Sequence, residues 1–243
     1  MSTEPIENLN DWKPGDFSTL AETAALLQCS PADLLLVMRF ESQLSPKAQA
    51  PGKSGAVGLI QITNMCNKAM GMTEADRLAI KTMSVHDQLT SIVPKYFQTC
   101  VPWTMQGKPY KSATHVWLAI IAPGFAGSYN DPNQVIYKDD GNPQGAYRQN
   151  SGLDQDNKGT ITVNDLTRAL GRVVKGSLYQ GALARLNMET GKTYMPTLPG
   201  VIVTPPSPLL LVPYPGTRPR SAGRAGLFLV GAALVAGVFF LRR

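Results

Sequence analysis

One carboxylic acid stands out by its setting. Glu41 lies in the stretch Ser30 to Thr63, SPADLLLVMRFESQLSPKAQAPGKSGAVGLIQIT. Ser30 suits a helix N-cap, Pro31 the first helical position, and Asp33 the positive end of the helix dipole. Leu34, Leu35, Leu36, Val37, Met38 and Phe40 make the segment apolar almost all round, the pattern of a buried helix. A carboxylate at the C-terminal end of such a helix is disfavoured as an anion, by desolvation and by the dipole. The expectation is an acid that keeps its proton near neutral pH, as a general acid must. Pro46 and Pro51 then close the helix, and Gly52, Gly55 and Gly58 lead into Leu59-Ile60-Gln61-Ile62. Glycines there permit positive φ and let a ligand approach the backbone, which marks Gly58 for a binding surface. Gln61 sets an amide, donor and acceptor at once, among apolar neighbours.

A second constellation, Asp154 to Asp165 (DQDNKGTITVND), resembles a calcium loop of the EF-hand or dockerin kind. Asp154 and Asp156 take the first and third places, Gly159 the sharp turn, Thr160 the backbone carbonyl, Ile161 the apolar anchor and Asp165 the last ligand. Lys158 stands in the fifth place, where an oxygen is expected. Two readings stay open: a structural calcium site, or a loop that keeps the turn without the metal.

The order Glu-Ser, then Pro, then Ser-Gly-Ala-x-Gly-Leu-Ile-Gln resembles the lytic transglycosylase (SLT, goose-type lysozyme-like) superfamily, nearest its phage-encoded branch, over about Cys29 to Leu166. The resemblance implies a mainly α, lysozyme-like helical domain acting on peptidoglycan. It implies Glu41 as catalytic acid/base, Ser42 as support for its carboxyl, and Gln61 as a glycan ligand, with no cofactor required beyond a possible structural calcium. The third family motif, Ala-Tyr-Asn, is not present as such. Its stand-ins are Ser128-Tyr129-Asn130 or Ala146-Tyr147 with Asn150, with Tyr147 preferred because YRQN recurs at this place in the phage branch. Met83, Gln88, Leu89, Tyr96 and Phe97 match a phage-branch segment read as core that holds the site.

These residues need helices to position them. Helical rhythm runs over Phe17 to Gln28 with Ser18 as cap, Met65 to Met70, Thr73 to Ile80, and Ser84 onward with a kink at Pro94. It returns at Thr114 to Ala122 and at Val163 to Met188, the last broken by Gly171 and Gly176. Residues 1–16 read as a polar arm, 17–190 as the domain, 191–224 as a proline-rich basic linker, and 225–241 as a transmembrane helix. Tyr194 to Arg220 holds eight of the 19 prolines, a stiff spacer of ~3 Å per residue. Ala225 to Leu241 is 17 residues without a charge, ~26 Å of helix against a ~30 Å hydrocarbon core.

The net charge is +6 over 243 residues. Met1 to Leu186 carries 17 basic and 16 acidic residues, so the excess sits in the tail. A basic rim around an apolar run indicates a lipid bilayer as partner and argues against nucleic acid. Cys29, Cys66 and Cys100 suggest neither a disulfide framework nor a zinc site. Met1 to Pro5 lacks the basic-then-apolar opening of a secretory signal. With no such signal, the expected setting is a virion of a phage with an internal membrane, the anchored enzyme opening the wall during genome entry beside other virion membrane proteins. The alternatives are a hydrolytic muramidase and an inactive glycan-binding or structural membrane protein. Trp103, Trp117, Phe125 and Tyr129 can stack on sugar faces or pack in the core.

Overall fold

The computed structural model describes residues 9–51, 55–102, 105 and 107–201. The architecture is mainly helical, with one small antiparallel hairpin. Helix α1 (Asp16–Leu26) begins at Gly15, whose φ of 92° turns the chain in, rather than at Ser18. Asp16 accepts from the Lys13 amide at 2.7 Å. The residues before it do not trail as an arm: Leu9 and Trp12 are buried, and the Trp12 indole donates to the Leu44 carbonyl at 2.8 Å. Trp12 also stacks on Phe17, ring centroids 4.7 Å apart. The domain therefore starts by Leu9.

Helix α2 (Pro31–Ser42) is the central rod, and every residue from Pro31 to Met38 is buried. Its fully buried leucines, valine and methionine contribute ~1.5–3 kcal/mol each. Ser30 extends at the N-cap without a side-chain cap bond. Asp33 instead accepts from the Thr197 amide at 2.6 Å. The helix stops before Pro46, because Gln43 and Leu44 turn left-handed (φ 55° and 65°).

Short helices follow, each with a named cap. Thr63 caps α3 (Asn64–Ala69), and a Thr73–Asp76 capping box opens α4 (Glu74–Ala79). Helix α5 (Val85–Asp87) widens into a π turn over Gln88–Ile92 and continues as α6 (Val93–Thr99). The wide turn sits where Pro94, lacking an N–H, interrupts the regular hydrogen-bond ladder. Helix α7 (Ala113–Ile121) is capped by Ser112 and packs on α2.

Strand β1 (Val135–Lys138), helix α8 (Ala146–Gln149) and strand β2 (Thr160–Thr162) form the part that the helical reading of the sequence lacked. The strands pair antiparallel, Tyr137 against Ile161 and Lys138 against Thr160. Helices α9 (Val163–Val173) and α10 (Ser177–Thr190) break at Gly176, one of the two glycines expected to interrupt them. Beyond Gly191 the chain folds back: Leu198 is buried, Ala113 donates to the Thr197 carbonyl at 3.0 Å, and Val201 packs on Gly171. The start of the expected 191–224 linker is thus part of the domain, while its remainder and the 225–241 span lie outside the described residues. Among the described residues no single helix is long and apolar enough to cross a membrane.

Candidate active site

Glu41 sits in the last turn of α2, half-buried. Its Oε1 accepts from the indole Nε1 of Trp117 on α7 at 2.7 Å. Trp117 is itself buried, and its ring tilts against Phe40 at 4.2 Å. A buried indole has one donor to satisfy, and here it fixes the carboxyl's orientation. The sequence left Trp117 between sugar stacking and core packing. It packs, and it also holds the acid. Ser42, expected to support that carboxyl, instead donates from Oγ to the Met38 carbonyl one turn back, at 2.9 Å. Its helical position turns it from Glu41 toward its own backbone, the usual back-bond of a mid-helix serine.

The glycine loop is set from beneath by two side chains. Gln88, only 1% exposed, accepts from the Leu59 amide at 2.9 Å and donates to the Pro46 and Ile80 carbonyls at 2.8 and 2.9 Å. Arg77, 2% exposed, reaches the Gly55 and Ile62 carbonyls while pairing with Glu74. Gly58 has φ +79°, and a Cβ there would fall 2.7 Å from both Gln88 Oε1 and Ile80 Cγ2. Its amide donates to the Ala48 carbonyl, and its own carbonyl accepts from Gln61 Nε2 at 2.9 Å. Gly58 is therefore spent on close packing of the loop rather than on exposing backbone to a ligand. Gln61, left-handed at φ 55°, is among the residues lining a groove, with its Nε2 turned back to the Gly58 carbonyl.

That groove encloses about 480 Å³. Gln61, Asn64 and Cys66 line one side, and Ile120, Ile121, Tyr137, Ala146, Gln149 and Asn150 line the other. Ile120 and Ile121 lie one helical turn beyond Trp117, so the indole that holds Glu41 and part of the groove lining share α7. None of the described residues lining it is Asp or Glu, and Glu41 itself is not part of that lining. Tyr96 donates to the Ala119 and Ile120 carbonyls at 3.2 and 3.0 Å, fixing the C-terminal end of α7 at the groove. Cys66 and Cys100 line the groove, and neither they nor Cys29 forms a disulfide among the described residues.

The tyrosine at this wall is Tyr137, which the sequence did not single out. Its hydroxyl donates to the Ile121 carbonyl. The signal available was weak: a tyrosine in the short apolar run Val135-Ile136-Tyr137, without a motif around it. Tyr147, the preferred stand-in, is buried and donates to Asp154 Oδ2 at 2.8 Å. Helical spacing explains the swap, because Ala146, Gln149 and Asn150 share the groove face of α8 and Tyr147 falls on the other. Tyr129 lies elsewhere, stacked on His115 with centroids 3.8 Å apart, at a hollow with Lys111, Asn130 and Thr167. Burial pushes His115 down to about 4, so it is neutral there. Phe125 is exposed, and Trp103 lies outside the described residues.

The 154–165 loop brings its acids together around a side chain. Lys158 Nζ lies 2.9 and 2.7 Å from the two Asp165 oxygens and 3.5 Å from Asp154 Oδ1. Arg168 takes Asp156 at 2.7 Å and Asp165 at 2.5 Å. Thr160, the expected carbonyl ligand, starts β2. Among the described residues no group of three His, Cys, Asp or Glu side chains is placed to hold a metal ion. An ammonium beside both end acids does not fit a calcium ion in the same place.

Residues 20–92 match the family model described as Transglycosylase SLT domain. The match takes in Glu41, Ser42, Gly58 and Gln61 and ends before Trp117 and Tyr137. The match spans 73 of the 243 residues, and the mainly helical architecture fits such a domain. No curated protein and no solved structure matches the chain.

Proposed function

We propose that this chain is a lytic transglycosylase that cuts the bond between N-acetylmuramic acid and N-acetylglucosamine in peptidoglycan strands, with Glu41 as its one proton-transfer group. The observation that carries the reading is the half-buried Glu41 carboxyl, held by the indole of Trp117 on α7 and lying inside the region that matches the transglycosylase domain. As an acid, Glu41 gives its proton to the glycosidic oxygen, and the bond from that oxygen to C1 breaks. As a carboxylate it then takes the proton of the sugar's C6 hydroxyl. The C6 oxygen bonds to C1 and closes the 1,6-anhydro ring, which regenerates the acid. A hydrolysing glycosidase ordinarily needs a second carboxyl for its water or nucleophile. Glu41 is the one carboxyl that the sequence sets in the central stretch, and that favours the anhydro product over hydrolysis.

The full-length chain in detergent micelles should clear a peptidoglycan zymogram and leave anhydro ends, each a water lighter than reducing ends by mass spectrometry. Glu41→Gln should lower turnover by about 100-fold or more while binding to sacculi persists. No clearing by the parent would leave only a glycan-binding protein, equal clearing by parent and variant would take the chemistry away from Glu41, and reducing ends would make it a muramidase.

The proposal extends to place. Residues 225–241 form the anchor, the proline-rich stretch before them the spacer, and a phage virion the carrier that opens the host wall during genome entry. Support comes from the uncharged 17-residue run and its arginine flanks. Co-flotation of the full-length chain with liposomes, and its loss on placing an arginine at Ala233, checks the anchor.

A further inference from the structure

The 154–165 loop keeps the shape of a cation site. Gly159 turns with φ +73° in the sharp bend, and β2 follows it directly. The Lys158 and Gly159 amides donate to the Asp154 oxygens at 3.1 and 2.7 Å. The Thr162 amide and hydroxyl both donate to Asp165 Oδ2 at 2.8 Å. Both acids are nearly fully buried, with side-chain exposures of 0% and 1%. Two buried carboxylates this close repel each other unless a cation stands between them. Calcium would supply two positive charges and take ~6–8 oxygens at ~2.3–2.6 Å. Here the Lys158 ammonium reaches both acids, and Arg168 supplies a second charge from α9.

The charges follow the geometry. Burial works against the Lys158 cation, but the Asp165 and Asp154 carboxylates outweigh it and hold its pKa above the ordinary lysine value. Burial likewise opposes the Asp165 anion, and Lys158, Arg168 and the Thr162 donors outweigh it and hold its carboxyl below the usual range. The loop also reaches the groove. Asp154 accepts the Tyr147 hydroxyl, which fixes α8 and with it Ala146, Gln149 and Asn150. Strand β2 leaves the loop and pairs with β1, which carries Tyr137.

We propose that Lys158 is a tethered cation that takes the place of calcium at the hub of this loop, and so holds the α8 and Tyr137 wall of the groove without metal. One lysine then does two things: it cancels the repulsion of the end acids, and it ties the hairpin to α8. The proposal concerns the loop and its wall, and it stands whichever products the groove releases.

The test uses the full-length chain in detergent micelles. The melting temperature of the wild-type chain should be the same, within about 1 °C, in millimolar calcium and in EGTA. Lys158→Asn puts an oxygen in the fifth place and should melt lower in EGTA, then gain about 5 °C or more with calcium. Lys158→Arg keeps a cation and should stay indifferent to calcium. A fall in the wild-type melting temperature on adding EGTA, or a Lys158→Asn variant that calcium leaves unchanged, overturns the proposal. If Lys158→Asn folds under neither condition, terbium luminescence on the wild-type chain decides. Tyr147 lies beside the loop to sensitise bound terbium, so no saturable signal is expected. A saturable signal abolished by Asp165→Asn would mean that the loop takes a metal after all.

Discussion

On the Gln61 side of the groove, the glycine loop hangs from Gln88 and Arg77, whose amide and guanidinium bond to backbone carbonyls. On the Tyr137 side, α8 and the hairpin are gathered by carboxylates paired with Lys158 and Arg168. Both sides solve the same problem, positioning irregular backbone beside the groove. The first does it with an amide and a guanidinium bonded to carbonyls. The second depends on the ionisation of Asp154 and Asp165. The difference teaches that one groove can have walls of unequal chemical tolerance.

The largest expected contrast lies in the response to acid. Burial pushes Asp33, on the central helix α2, up to about 7 from 3.8, even though the Thr197 amide pulls the other way. A carboxyl raised in the folded state contributes stability that is complete below ~4 and lost as pH rises toward 7. That term is on the order of a few kcal/mol. Asp154 and Asp165 run opposite: burial alone would raise them, but their partners hold them below 3.8. Their contribution is complete above ~4 and lost as pH falls through the lowered values. Urea midpoints measured from pH 3 to 8 should show Asp33→Asn flattening the slope between about 4 and 7, and Asp165→Asn flattening the fall below ~4. Parallel curves for wild type and Asp33→Asn would break the contrast.

Next in size is Gly58→Ala. The left-handed backbone costs ~1–2 kcal/mol for a side chain, and overpacking against Gln88 and Ile80 adds ~1–3 kcal/mol. A loss of about 3 kcal/mol in denaturant unfolding is expected, the mark of a wall set by packing. A loss below ~0.5 kcal/mol would show that the loop yields freely. Smallest is Trp117→Phe, which keeps the ring and removes the indole donor to Glu41. About tenfold in kcat, or ~1.4 kcal/mol, should go with little change in KM. An unchanged kcat would remove Trp117 from the positioning of the acid.

The same division explains what could be read beforehand. Helix α2 and the glycine loop announce themselves through an all-apolar run, prolines and positive-φ glycines, signals confined to neighbouring residues. The capping boxes at Thr73 and Thr162 are equally local. The Tyr137 wall is not local. Its hairpin strands are four and three residues long and are separated by 21 residues, and their pairing carries no periodicity long enough to register. Tyr147 carried the motif-like neighbours, but helical spacing on α8 sent it to Asp154. Lys158 was visible as the wrong residue for a metal; that its ammonium would reach Asp165 needed the fold. The family resemblance makes Ser42 a support for the Glu41 carboxyl and glycine's freedom makes Gly58 a binding surface, whereas their hydrogen bonds run back into the backbone.

The Thr197 amide meets Asp33 near the start of α2, eight residues before Glu41, or ~12 Å along the rod. The residues that follow α10 are thus pinned at the end of the rod away from Glu41, so a change there reaches the carboxyl only along a mostly buried helix.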